Sequence, residues 1–537
     1  MNRTDDTDRL LKLFILLIFA GAALLRFQNI FSALEYDEIW TFENFSILPV
    51  SKIMTELALP NNQPLNSLWV KLVVALNGPL WAIRLHSFVT GVLVLPLTGF
   101  VAFVLSNRNK SAATACMFFM ALSAPDIAYS SLARGYGLQV FFLALYGAGL
   151  AACETFRPAG KYRKYLPECA IAIGGLCAIL TLPTSVMYLG TMTLAAWLIH
   201  PVKPRRSLVI VLGAGAVFTL FWCLGNYQQL DAARIWGNKI RSFTDFYGFL
   251  SVTFTHLTAP TALLLGCIAF KFMPRKTLPL LLIIILPLLA AVITNAGPPR
   301  TYIPFGAVFA IAGGCGLGEL LKKIKKNPAA VVCILLAAVG ILEYTQRQKM
   351  WYTPDSREVF KQASALPYST LVVHSATQGY PLAWNNRPEI YNDFVKRLLE
   401  HSQELAMFDA PQKINGNDRR NNEAVISANS LGKAVSEGIL RYTRYRLEEL
   451  TSSPRIGETV LVALRPMPEN MLVFYFDFLN KSGINWLKLN PWLNRFIDRP
   501  DGTYLYALLA GEVTPNCSLN WQTLTENSSI SVYRIVK

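Results

Sequence analysis

Between Leu10 and Tyr344 the chain returns eleven times to an apolar segment too long and too sparsely charged for the amphipathic elements of a soluble core. The segments run roughly over Leu10–Ile30, Ile83–Leu105, Ala112–Ala128, Gly135–Ala152, Leu166–Leu182, Ser185–Ile199, Leu208–Leu224, Leu257–Phe270, Leu278–Thr294, Tyr302–Leu320 and Pro328–Tyr344. Only helices and closed barrels satisfy every backbone group in hydrocarbon, and segments of this length read as helices. The expected fold class is therefore an α-helical polytopic membrane protein of about eleven transmembrane helices. Composition agrees, with 53% hydrophobic and 16% charged residues where soluble proteins carry about 25% charged.

The net charge of +16 would suit a nucleic-acid partner, but its position argues against one. Residues 1–345 hold 28 Lys and Arg against 15 Asp and Glu, whereas the remaining residues hold 22 against 19. The excess therefore sits in the apolar part. With successive segments alternating sides, the N-terminus and the connections containing Arg108, Arg157 to Lys164, Lys203 to Arg206, Lys271 to Lys276 and Lys322 to Lys326 fall on one side and hold 19 of those 28 cations. That is the asymmetry expected of cytoplasmic loops. The first segment reads as a retained signal anchor with a cytoplasmic N-terminus, and an odd number of crossings places residues beyond 345 outside the cytoplasm.

Two domains follow: residues 1–345 in the membrane, with residues 31–82 as a first outer loop carrying interfacial helices, and residues 346–537 as a soluble extracytoplasmic α/β or α+β domain. In the latter, Thr370–His374, Thr459–Leu464, Thr503–Leu508 and Ser529–Ile535 read as strands, and Asn392–Met407 and Gly432–Leu450 as helices. Eight of the nine cysteines lie in or beside apolar segments, and the five histidines form no zinc motif.

Asp37 and Glu38 follow the first segment in LEYDEIWTF. Alone they could set topology or cap a helix. Their company makes them more informative: Arg84, Arg134 and Arg300 each begin a later segment at its outer end, and Arg26 sits near the outer end of the first, where the charge bias of membrane topology disfavours cations. Charges at membrane depth face protein or a cavity, and a guanidinium fork suits a phosphate. Tyr136 and Tyr302 stand ready to add hydroxyl donors. The competing reading is that these arginines merely pair with Glu35, Asp37, Glu38 or Asp126 for packing.

In order along the chain, the DE pair after the first span, NQPL, RLHSFVTGVLVLPL, SAPDIAYSSLARGYGLQVFFLALY and PRTYIPF resemble the GT-C membrane glycosyltransferases, especially the bacterial family 39 type related to protein O-mannosyltransferases and the lipid A aminoarabinose transferase. The resemblance covers roughly residues 1–345. It implies transfer of a sugar from a polyprenyl-phosphate donor to a glycan, lipid or protein acceptor at the outer face of the inner (plasma) membrane, with membrane lipids as surroundings and no nucleic acid. It implies a catalytic acid at Asp37 with Glu38 beside it, and lipid-phosphate contacts from Arg84, Arg134, Tyr136, Arg300 and Tyr302. Many members have His-Pro-Pro or His-Pro-Leu where this chain has Asn62-Gln63-Pro64-Leu65, which leaves any divalent cation unassigned.

Such a reaction needs a base for the acceptor proton and cations for the departing phosphate. One carboxylate base without a separate nucleophile favours direct displacement with inversion. The alternatives from other classes are a transporter or flippase of lipid-linked glycans, a membrane-anchored sensing or assembly domain and, within the enzyme class, a glycan ligase or polymerase.

Overall fold

In the computed structural model, residues 3–57, 61–155, 165–199, 206–233, 240–257, 259–294, 297–324 and 326–351 are described, and beyond them Arg357 and four strands. The helices are α1 (Arg3–Phe27), α2 (Tyr36–Trp40), α3 (Val50–Thr55), α4 (Pro64–Ala75), α5 (Leu85–Leu105), α6 (Lys110–Ala121), α7 (Ala124–Ser130), α8 (Gly135–Thr155) and α9 (Leu166–Thr181). They continue as α10 (Ser185–Ile199), α11 (Arg206–Gly225), α12 (Tyr227–Ala233), α13 (Phe243–Leu257), α14 (Pro260–Phe272), α15 (Pro274–Thr277), α16 (Leu282–Ile293), α17 (Pro304–Lys323) and α18 (Lys326–Trp351).

Each of the eleven expected segments is helical, but they are not equal. Five stretches are long and apolar enough to cross a membrane: Leu80–Leu105, Gly135–Cys153, Ser207–Gly225, Pro274–Ile293 and Pro304–Lys323. A sixth is the pair α6 and α7, bent by 63° at the break between them. Leu166–Thr181, Ser185–Ile199, Pro260–Phe272 and Cys333–Gln346 are shorter apolar helices. Among the described residues the expected segments thus divide into full-length apolar stretches and shorter apolar helices, and Pro125 and the Leu122–Ser123 break bend one segment that hydropathy reads as continuous.

The bundle is close-packed where glycine allows it. The helix α17 lies between α6 and α14, and α8 between α5 and α9. A Cβ on Gly316 would stand 1.8 Å from the Leu265 carbonyl oxygen, and one on Gly314 2.6 Å from that of Ala112. Small residues that bring backbones together are how helices associate where lipid removes the hydrophobic drive. In contrast, the apolar window of α11 has nothing buried by protein.

Helix direction gives the bundle two chemically different ends. The turn after α5 and the starts of α6 and α15 carry Arg108, Lys110, Arg275 and Lys276, with Lys276 Nζ donating to Asn107 Oδ1 and Asn109 Nδ2 to the Gly318 carbonyl at 3.1 Å. The other end, where α5, α8 and α17 begin, carries Arg84, Arg134 and Arg300.

Past the bundle, β1 (Thr370–Val373), β2 (Thr459–Leu464), β3 (Asn520–Glu526) and β4 (Ile530–Val536) form one sheet in the order β1-β2-β4-β3. The β1–β2 pair is parallel and the other two are antiparallel. Three of the four expected strands appear; the fourth, Thr503–Leu508, and both expected helices lie outside the described residues. So do the basic connections over 157–164 and 201–205. The strand β3 went unread because NWQTLTE lacks apolar alternation.

Replacing Gly316 with alanine is expected to lower stability by about 1–3 kcal/mol through overpacking, seen as a drop in the thermal midpoint of the detergent-solubilised protein. An unchanged midpoint would mean that α14 and α17 separate at no cost.

Candidate functional site

The helix α2 starts with a capping box in which Glu35 is the N-cap and Glu38 Oε2 accepts from the Glu35 N–H at 2.9 Å. That places Asp37 and Glu38 in the first turn with their side chains in different surroundings. Glu38 is sealed. Its Oε1 accepts from Arg84 Nε at 2.8 Å and from the Ala133 N–H at 2.6 Å, and its Oε2 from Arg84 Nη2 at 2.6 Å. Arg84 is also fully buried, and its remaining donors go to the carbonyls of Asn29, Ser32 and Ala33 at 3.0, 2.8 and 2.9 Å. It thereby satisfies backbone oxygens left open after the end of α1. Arg26, also fully buried, pairs with Asp126 and donates to the carbonyls of Met120 and Ala121, both at 3.3 Å. These are orphan carbonyls at the α6–α7 break, so this arginine stabilises the bend.

Asp37 is different. Its side chain is 27% exposed and pairs through Oδ2 with Nη1 of Arg134, itself 3% exposed. Arg134 ends the short turn between α7 and α8. Its guanidinium carbon lies 5.5 Å from the centre of the Tyr136 ring, and the Tyr136 hydroxyl accepts from Arg300 Nε at 3.1 Å. Burial pushes the Arg134 guanidinium down to about 10, opposed by Tyr136 and reinforced by Arg300, which leaves it cationic at neutral pH. Its Nε and Nη2 make no hydrogen bond of ordinary geometry among the described residues, although the Tyr136 hydroxyl lies close enough to favour the charged guanidinium. This is the same edge of the guanidinium that Arg84 uses to grip Glu38.

Of the residues singled out in the sequence, Asp37, Arg134, Tyr136 and Arg300 come together, and Glu38 and Arg84 form the buried pair beside them. Tyr302 is buried in a stack of rings, 5.3 Å from Phe249 and 5.5 Å from Phe305. The sequence reading passed over Gln63, whose Oε1 accepts from the Gly135 N–H, and His86, whose Nε2 lies 2.9 Å from Asn66 Oδ1. NQPL was legible only as a departure from a familiar motif.

A divalent cation finds no ready donor set. Among the described residues no three His, Cys, Asp or Glu side chains converge, Glu38 is saturated by Arg84, and Asp37 is paired with Arg134.

An apolar cleft of about 880 Å³, counting its open mouth, runs between α5, α8, α10, α16 and α17, lined by residues such as Val101, Leu143, Met192, Ile283 and Val308. Tyr188, one of its lining residues, donates its hydroxyl to the Thr301 carbonyl at 3.0 Å, one residue from Arg300.

No protein-family model and no curated protein matches the chain. Solved structures are similar to it. The oligosaccharyltransferase of Archaeoglobus fulgidus in complex with Zn and sulfate is 13% identical, with 68% of this chain and 61% of that one covered and a TM-score of 0.44. ArnT from Cupriavidus metallidurans in the apo state is 14% identical over 97% of this chain and 98% of that one, with a TM-score of 0.41. The arabinofuranosyltransferase AftD from Mycobacteria is 16% identical over 67% of this chain and 29% of that one, with a TM-score of 0.38. These neighbours are GT-C glycosyltransferases. Likeness at this level fixes neither substrate nor reaction, which have to be argued from the site itself.

Breaking a buried ion pair leaves its partner uncompensated and costs about 3–5 kcal/mol. Glu38→Gln is expected to lose about that much, read as a lowered thermal midpoint in detergent; an unshifted midpoint would show that the Arg84 pair contributes nothing.

Proposed function

We propose that the chain is a membrane glycosyltransferase that moves a sugar from a polyprenyl-phosphate donor to an acceptor hydroxyl or phosphate, by direct displacement with inversion and with Asp37 as base. The observation that carries this reading is the Nε/Nη2 edge of Arg134, buried beside Tyr136 and Arg300 and making no hydrogen bond of ordinary geometry among the described residues. Buried guanidinium donors are costly to leave unmade, and an edge of this shape matches two phosphate oxygens. The apolar cleft, whose lining residue Tyr188 is hydrogen-bonded to the Thr301 carbonyl beside Arg300, is of a chemistry that suits a prenyl chain attached to such a phosphate.

On this reading Arg134 holds the base with Nη1 and the leaving group with its other edge. The Asp37 carboxylate takes the proton of the acceptor hydroxyl as the acceptor oxygen forms its bond to the anomeric carbon. The bond from that carbon to the phosphate oxygen breaks, and its electron pair stays on the phosphate, where the N–H groups of Arg134 and Arg300 meet the charge. Glu38 and Arg84 touch neither reactant and position the turn that carries Arg134. Tyr302 acts through the ring stack beneath Arg300. No step runs through a metal ion.

The topology proposed with this function keeps the N-terminus cytoplasmic in the inner membrane, about eleven crossings in residues 1–345, and the site together with residues 346–537 on the outer side. The acceptor class, glycan, lipid or protein, is left to the assay.

Asp37→Asn is expected to lower transfer by about 10²–10⁴-fold while undecaprenyl phosphate still binds. Arg134→Gln is expected to weaken that binding by about 10–100-fold. Binding is measured by titration of the lipid on purified protein in nanodiscs, and transfer by mass spectrometry of envelope glycans from cells carrying each variant. Full transfer by Asp37→Asn, or unchanged lipid affinity in Arg134→Gln, would sink the assignment.

A further inference from the structure

The turn that presents Arg134 is gripped on both sides by side chains from the first loop. The residue before it, Ala133, donates its N–H to Glu38 Oε1 at 2.6 Å, and the residue after it, Gly135, donates its N–H to Gln63 Oε1. Both N–H groups lie where α8 has no preceding turn to accept them. Arg134 itself donates its N–H to the Leu132 carbonyl at 2.8 Å. The Leu132–Ala133 and Arg134–Gly135 peptides are thus fixed by side chains 95 and 72 positions from their N–H donors, and only the second of these adjoins the arginine on its far side.

Gln63 is built to hold rather than to adapt. It is fully buried, it is the N-cap of α4 with Pro64 following it, and its own carbonyl accepts from the Ser67 N–H at 2.9 Å. The amide comes so close that a Cβ on Gly135 would stand 3.1 Å from both its Cβ and Oε1, and 2.9 Å from Thr181 Cγ2. The other half of the amide, Nε2, is buried and has no acceptor among the described residues, so the side chain is kept in place at a cost in hydrogen bonding.

We infer that Gln63 is a positioning residue for Arg134. Its amide oxygen, through the Gly135 N–H, sets the direction in which the Arg134 guanidinium meets the donor phosphate. This inference rests on the function proposed above. A phosphate gripped by a planar fork is sensitive to small displacements, because a misplacement of about 1 Å can cost about 10²-fold when it is transmitted to a reacting geometry. The Glu38 grip alone leaves the peptide after Arg134 free to turn.

The test compares wild type, Gln63→Met and Gln63→Glu in nanodiscs, with undecaprenyl phosphate as the probe. Methionine keeps the length and removes the acceptor, whereas glutamate keeps an oxygen for the Gly135 N–H. Gln63→Met is expected to bind the lipid about tenfold more weakly and to raise the donor KM in the transfer assay with a smaller change in kcat. Gln63→Glu is expected to lie closer to wild type in both. Equal lipid affinity in wild type and Gln63→Met would overturn the inference while leaving the function standing. Failure of wild type itself to bind undecaprenyl phosphate would overturn both. Should Gln63→Met lose its fold, Gly135→Ala displaces the same amide without removing it and is expected to weaken lipid binding likewise; wild-type affinity in that variant would overturn the inference.

Discussion

A carboxylate and a guanidinium sealed from solvent hold this end of the bundle together. Glu38 and Arg84 meet along two hydrogen bonds, and each then reaches out to backbone: Arg84 to the chain leaving α1, Glu38 to the turn entering α8. Four separate stretches of chain, the segment leaving α1 over Asn29 to Ala33, the helix α2, the start of α5 and the turn before α8, are therefore fixed by one pair. In a bilayer the hydrophobic effect does not choose among helix arrangements, and polar contacts and small residues do. A single pair with this many backbone partners can accordingly specify more of the structure than any apolar contact in it.

Arg84 and Arg134 put the same chemistry to different ends. One spends every donor edge on the protein; the other pairs Nη1 with a carboxylate that is about a quarter exposed, and its bidentate edge makes no hydrogen bond of ordinary geometry among the described residues. Proteins tolerate an unsatisfied buried donor where something other than the protein is meant to satisfy it. Arg26 differs from both: its Nη atoms meet Asp126 and the carbonyls at the α6–α7 break and so stabilise the bend, while its buried Nε has no partner among the described residues.

Much of this was legible in the sequence, for identifiable reasons. Long apolar runs mark helices because lipid leaves few alternatives, and arginines on the unfavoured side mark the charged end because topology disfavours them there. Which arginine spends its donors on the protein was not legible: Arg84 and Arg134 look alike in one dimension, and only the fold shows Arg84 fully engaged with Glu38 and backbone carbonyls while Arg134 pairs with Asp37 through Nη1. The pairing of Glu38 with the Ala133 N–H and of Gln63 with the Gly135 N–H crosses 95 and 72 residues, a relation no local pattern encodes. Tyr302 followed Arg300 in sequence, yet the 3₁₀ turn at Pro299–Tyr302 directs its ring inward against Phe249 and Phe305. The bend after Leu122 was hidden inside what hydropathy reads as one segment.

The two grips on the Arg134 turn both come from earlier in the chain. During synthesis the loop bearing Glu38 and Gln63 leaves the ribosome before the turn it will hold, and Arg84 precedes that turn as well. Both side chains that hold the Arg134 turn are thus translated before it, and Arg300, which donates to the Tyr136 hydroxyl, is translated after it, so the site joins stretches made at three different times.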